Sequence, residues 1–195
     1  TTNLNLQFEE TSQVILMFGQ PTIGYGHKDA ICLQLLSCYL GLGMSSKLFI
    51  ELRENHGVAY DVGVHHPIRE YDSPFVFHAS TSEEKSIHTL ELLQKTLKTI
   101  LSRGLSEKDL LLSKSKYQGQ IAHLTQTVSQ KAERKALLLG LNLDFNHDQK
   151  NIGSLKKISS KDLLQSANKY LQRPLLCLCS PKNTVLKIAD RWNNS

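Results

Sequence analysis

The chain has 195 residues, 40% of them hydrophobic and 21% charged, with a formal net charge of +5. That length gives room for one large domain with a substantial core, and the composition excludes disorder over most of it. No apolar run reaches membrane-spanning length and no signal-peptide pattern opens the chain.

In chain order, "QVILMFG" (13–19) is a continuous apolar run ended by Gly19 and Pro21, which predicts a buried strand. "KDAICLQLLSCYLG" (28–41) is apolar almost all round and predicts a helix covered on several sides. "GLGMSS" interrupts it and supplies a serine cap for a helix from Ser46 to Asn55. "VAYDVGV" (58–64) alternates as a strand with Val58, Tyr60, Val62 and Val64 on one face. "FVFHAST" (75–81) predicts its antiparallel neighbour across the loop "HPIREYDSP". A capping box is expected at Thr81 to Glu84, before a long helix with Ile87, Leu90, Leu97 and Leu101 inward; Ser106 to Asp109 is expected to open another helix and Ser159 to Asp162 to cap the last. The helix after Ser106 carries a break near "TVSQKAERKALLLG", and "NHDQKNIGS" (146–154) is expected as a loop. "PLLCLCSP" predicts a last strand, followed by "VLKIAD" as a short strand or tail.

This order predicts an α+β fold, a mainly antiparallel sheet with helices packed on one face. It is expected as one domain over 4–189 with a tail over 190–195. Thr1 rather than Met opens the chain, as expected of a piece cut from something longer. Cys32 and Cys38 fall on different faces of one helix, and Cys177 and Cys179 point the same way along a strand, so buried free thiols in the cytoplasm or another reducing compartment are expected, with a long-range disulfide as the alternative. The lysines are interleaved with acids along helices and predict solvated faces rather than a nucleic-acid groove, there being no aromatic stacking pattern. A basic wall facing an acidic partner or peptide stays open.

The segment "LRENHGVAY" (52–60) turns from helix to strand at one glycine. On a wheel at about 100° per residue, Lys47, Glu51 and Glu54 gather on a solvated side, whereas Arg53 falls between Phe49 and Ile50 in the apolar arc. Its guanidinium must then reach an acceptor. Gly57 permits the left-handed backbone that ends a helix, so Arg53 and Tyr60 can converge. Arg53 also suits a last turn as a complement to the helix dipole, and Tyr60 suits a core strand face. Alternatively the two are paired donors, one cationic and one phenolic, aimed at a carbonyl oxygen that gains negative charge.

"LGLGMSSKLFIELRENHGVAYDV" resembles the signature of the second half of the insulinase/pitrilysin family of zinc metallopeptidases, which includes mitochondrial processing peptidase. The family pattern is Gly-Met-x-Ser-(Arg/Lys)-Leu-Phe leading into Leu-Arg-Glu-x-x-Gly-(Leu/Val)-Ala-Tyr, and Lys47 stands where Arg is commoner. "FGQP", "STSEE", "LSEKDLLLSKSKYQGQ" and "ISSKDLLQSANKYL" follow in the family's order. The resemblance implies one of two similar α+β halves, as in a mitochondrial processing peptidase-like enzyme, facing each other around a peptide chamber. It implies a non-catalytic half whose substrate-binding residues are Arg53 and Tyr60, with zinc held by a partner catalytic half on the same polypeptide or a separate subunit. A dimer is allowed. The alternative is a structural or assembly module of the same fold with no part in proteolysis.

The residues themselves offer no catalytic centre. A zinc motif of the His-x-x-Glu-His kind needs two histidines and a glutamate on one helix face, and "HTLEL" (88–92) has one histidine only, so His88 is expected on a helix surface. His65 and His66 are adjacent on a strand and point apart. His27, His56, His78, His123 and His147 show no ligand spacing. No Gly-x-Ser-x-Gly elbow occurs, and "GLGMSS" lacks the ending of a phosphate-binding loop. One processing-peptidase subunit has a long glycine-rich substrate loop there, and this one is short. The expectation is therefore no metal and no catalytic residue in this chain.

Overall fold

Alternation along four strands builds one buried face. In the computed structural model, which describes residues 3–193, five strands form one sheet in the order β1-β5-β2-β4-β3. They are β1 (Leu4–Phe8), β2 (Val14–Thr22), β3 (Asp61–His65), β4 (Ser73–Thr81) and β5 (Leu175–Ser180). β5 with β2, β2 with β4 and β4 with β3 pair antiparallel, while the edge strand β1 runs parallel to β5. The sheet is therefore mixed, and mainly antiparallel as expected.

Val14, Leu16 and Phe18 of β2, Phe75 and Phe77 of β4, and Leu176 and Leu178 of β5 are buried together. The rings of Phe18 and Phe77 stack at 4.8 Å. The alternate positions Ile15, Val76, Cys177 and Cys179 are only half-buried, and Met17 is 44% exposed. The continuous apolar run thus belongs to a strand buried on one face, not both.

The helices cover the face of Phe18. α1 (Ala30–Gly41) lies against β3, α2 (Ser86–Arg103) against β4, and α6 (Ser160–Tyr170) against β2. α7 (Lys182–Asn193) spans β1 and β5, with Trp192 tilted against Phe18. α3 (Glu107–His123) packs on α1, and α4 (Val128–Gly140) and α5 (His147–Ser154) follow it outside. α1 is buried on several sides, as its composition predicts, and its thiols show the cost: burial pushes Cys38 up to about 12. All four cysteines are free thiols.

Several boundaries differ from the sequence reading. Thr81 is the last residue of β4, paired with Val14, and its hydroxyl donates to the Val58 carbonyl, so the box at Thr81 does not form and α2 starts later without a side-chain cap. The stretch 146–154 expected as a loop is largely α5. The stretch expected as strand or tail is α7, an amphipathic helix burying Val185, Ile188 and Ala189. Residues 194 and 195 of the expected tail lie outside the described residues.

Two expected caps do form. The Ser106 hydroxyl accepts from the Asp109 N–H, and at α6 Ser159 and Asp162 bond reciprocally. The Ser159 N–H and hydroxyl hold the Asp162 carboxyl below the usual carboxylate range. A depressed folded-state pKa contributes stability above the unfolded value, near ~4, that is lost as pH falls through the folded value. Asp162→Ala is expected to lower stability at neutral pH by roughly 0.5 kcal/mol, a small figure because the site is solvent-screened. Urea titrations at several pH values should show that deficit shrinking below about pH 4.

Candidate functional site: a glycine corner with two free donors

Residues 46 to 60 make the corner, and its buried side anchors it. The Phe49 N–H donates to the Ser46 hydroxyl at 3.4 Å, and Leu48 and Leu52 are fully buried. From Phe49 to Asn55 the helix is a π-helix, not the regular α-helix of the wheel. Its i→i+5 bonding widens each turn and rotates successive side chains less. Arg53 consequently lies on the exposed side, with its guanidinium 4.8 Å from the centre of the Phe49 ring. The neighbour is the one expected; the burial is not, because Ile50 on that side is itself 39% exposed.

Gly57 has φ +58°, and the Val58 N–H reaches back to the Leu52 carbonyl at 2.8 Å, a Schellman-type closure. The Lys85 ammonium donates to the Gly57 carbonyl at 2.9 Å, and Thr81 donates to Val58. Val58 and Ala59 are both buried, so the chain is not yet a strand there; β3 begins at Asp61. The Tyr60 N–H donates to the Ser80 carbonyl at 2.8 Å, while its side chain is 59% exposed. Tyr60 therefore does not share the inner face with Val62 and Val64.

The backbone of the corner is tied at Gly57, Val58 and Tyr60, yet no hydrogen bond or ion pair among the described residues engages the Arg53 guanidinium or the Tyr60 hydroxyl. One cation and one phenol stand free on a rigid support. Neither residue lines the larger grooves, of 540 Å³ between α2 and α7 and 470 Å³ beside α1 and α6. Lys47 and Glu51 of the same segment do line a groove, of 250 Å³, together with Tyr39, Lys95 and Asp109.

A Cβ on Gly57 would meet nothing closer than the Arg53 carbonyl at 4.0 Å. Gly57→Ala therefore carries only the cost of a left-handed backbone, about 1 kcal/mol. Denaturant unfolding should show that loss without a change in slope.

The histidines do not assemble. His88 sits on the surface of α2 beside Glu91 at 3.9 Å, and its ring meets that of His56 edge-on at 5.5 Å. His66 bonds the Pro74 carbonyl, and burial lowers its pKa, while His65 is exposed. Among the described residues no group of three or more His, Cys, Asp or Glu is placed to hold a metal ion. No described helix is long and apolar enough to cross a membrane.

Two features escaped the sequence reading. A buried cluster joins Arg134 and Asp148, at 2.7 Å and 2.8 Å, to the hydroxyl of Tyr25, which also contacts that of Tyr117. On the open sheet face Asp61 pairs with His78. Phase along β4 was the available signal for the second, since His78 falls between the inward Phe77 and Ala79.

A family model described as the peptidase M16 inactive domain matches residues 4–117. An uncharacterized zinc protease of Bacillus subtilis (strain 168), YmxG, is 30% identical over 156 residues, covering 77% of this chain and 38% of that protein. A Helicobacter pylori relative, described as the non-peptidase homolog YmxG, is 22% identical over 80% of this chain and 36% of its own length. A crystal structure of a peptidase M16 inactive domain from Pseudomonas fluorescens superposes with a TM-score of 0.82 at 21% identity, over 92% of this chain and 43% of that one. The chain thus spans less than half the length of these relatives. With more than half of its own residues inside the family model, it belongs to the peptidase M16 inactive domain family.

Proposed function

We propose that the chain is the non-catalytic half of a zinc peptidase, forming one wall of a peptide chamber whose metal is held by a partner half. Arg53 and Tyr60 would donate to a substrate carbonyl as its oxygen gains charge, the cation supplying field and the phenol direction. The observation that carries this reading is the contrast at the corner: the Val58 and Tyr60 N–H groups and the Gly57 and Val58 carbonyls are bonded, while among the described residues no hydrogen bond or ion pair takes up either donor tip. Fixed donors facing outward need no reorganisation when charge develops, which is what transition-state stabilisation requires. By itself the chain would hydrolyse nothing.

Mixing the chain with a zinc-bearing half and following cleavage of an unstructured peptide tests this. Cleavage should require both halves. A zinc half equally active alone would overturn the proposal.

The Helicobacter relative's description as a non-peptidase homolog favours a second reading, an assembly module of the same fold. Under it the halves would still associate, but peptide turnover would be absent.

A further inference from the structure

A pocket of 230 Å³ opens where α1, α3 and the residues after β3 meet, with Tyr25, Tyr117 and Arg134 of the buried cluster in its lining. It is smaller than the roughly 300–1,000 Å³ common for drug-sized ligands, so its occupant must be compact. The segment on its β3 side is held in place. The Ser73 hydroxyl donates to the Pro67 carbonyl, and the Tyr25 N–H donates to the Arg69 carbonyl at 2.8 Å.

Gln34 of α1 is only 9% exposed and lines this pocket, and no hydrogen bond among the described residues engages its amide. Burying an amide without a partner is unfavourable, so a partner entering the pocket gains by satisfying it. His66 Nδ1 lies 3.0 Å from the Pro74 carbonyl, which can only accept, so Nδ1 carries the proton and Nε2 is left as an acceptor. Burial lowers the pKa of that ring and favours its neutral form. The Cys38 thiol donates to Gln120 Oε1 at 3.4 Å, which orients that amide and leaves its N–H groups to donate. Arg134 is the one charged residue of the lining, and Asp148 pairs with it at 2.7 Å. The pocket is therefore uncharged overall. It offers one acceptor, one donor and one amide able to act as both, beside the apolar walls of Pro67, Ile68, Ile121 and Leu124.

We propose that this pocket binds a neutral planar carboxamide carried on a compact apolar body. The carboxamide nitrogen would donate to His66 Nε2 and the Gln34 oxygen, while its carbonyl would accept from a Gln120 or Gln34 N–H. The apolar body would lie against Ile68 and Ile121. A carboxylate has no hydrogen for His66 Nε2, and an amidinium has no acceptor for Gln120. Each also brings a charge that no group of the pocket is free to pair. The site is separate from the corner, and the inference stands whether or not the chamber-wall reading does.

Benzamide, benzoate, benzamidine and acetophenone share one ring and differ in the group that meets the polar lining. Their affinities for the full-length protein are read by ligand-observed NMR titration. Benzamide should bind about tenfold more tightly than each of the others, the difference that two neutral hydrogen bonds supply. Tighter binding of benzoate or of benzamidine would overturn the inference by revealing an anion or a cation site. Benzamide that shows no saturable binding would overturn it outright. Gln34→Leu should erase the advantage of benzamide over acetophenone, and the free protein should melt no lower, since an unpaired buried amide is gone. An advantage that survives this variant, or a lowered Tm with all four compounds weakened equally, would overturn the assignment, the latter by marking a structural role for Gln34. Ile68→Trp fills the pocket from its apolar side and should abolish benzamide binding. Undiminished binding there would place the ligand elsewhere and sink the proposal.

Discussion

Arg53→Ala, in the chain assembled with its zinc-bearing half, is expected to lower kcat/KM for peptide cleavage by about 100-fold, mostly through kcat. The size follows from removing one preorganised charged donor from a carbonyl oxygen as it becomes anionic. The stability change should be small, within roughly 0.5 kcal/mol, because the side chain is exposed and stacks on the Phe49 ring without a hydrogen bond or ion pair among the described residues. Tyr60→Phe removes a neutral donor and should cost about tenfold, its ring contacts preserved. Arg53→Lys should recover little, since an ammonium lacks the planar fork and the stacking on Phe49. Because both donors would serve one oxygen, the double variant should fall short of the product of the single losses. Steady-state kinetics alongside thermal unfolding decide the matter. Turnover equal to the parent in Arg53→Ala, with assembly intact, would leave the corner as a structural element and favour the assembly reading.

The corner was legible because its main determinants are local. Gly57 is needed where φ is positive, and a helix before it and a strand after it follow from periodicity alone. The orientation of Arg53 was not, because a wheel assumes α geometry and the shift to i→i+5 bonding shows no residue signature in "FIELREN". Thr81 illustrates a second limit. Its spacing to Glu84 satisfies a capping box, but the ladder to β2 and the buried Val58 carbonyl offered the hydroxyl a better partner. α5 was hidden for a third reason. It buries Asp148 rather than an apolar stripe, so a search for hydrophobic period finds nothing. The edge strand β1 and the helix α7 did carry ordinary patterns, "LNLQF" and Val185, Ile188, Trp192, but in windows short enough to pass as terminus and tail. The Asp61–His78 pair needed the β3–β4 register, which no single strand contains.

The polar cluster that hid α5 also makes the second large effect. Asp148→Ala is expected to destabilise the chain by about 3–5 kcal/mol, the cost of leaving a buried guanidinium without its carboxylate. The Arg134 and Asp148 side chains are 6% and 4% exposed and joined by two hydrogen bonds. Tyr25 loses an acceptor as well, its hydroxyl donating to Asp148 at 3.1 Å. For a domain of this size the loss corresponds to a fall in Tm of roughly 10 °C. Replacing both partners, Arg134→Met with Asp148→Leu, should recover much of it, since no charge is then stranded and Tyr25 keeps its contact with Tyr117. The loss should also be local. α4 buries only Arg134 and Leu138, so without the ion pair one leucine is left to hold it. Hydrogen exchange in Asp148→Ala should therefore accelerate through α4 and α5 while β2 and β4 stay protected. Uniform acceleration across the sheet would show instead that the cluster stabilises the whole domain. Because the corner is anchored by Leu48, Leu52 and Thr81, none of which belongs to the cluster, its geometry and any turnover that depends on Arg53 should survive the opening of α4 at temperatures below the lowered Tm.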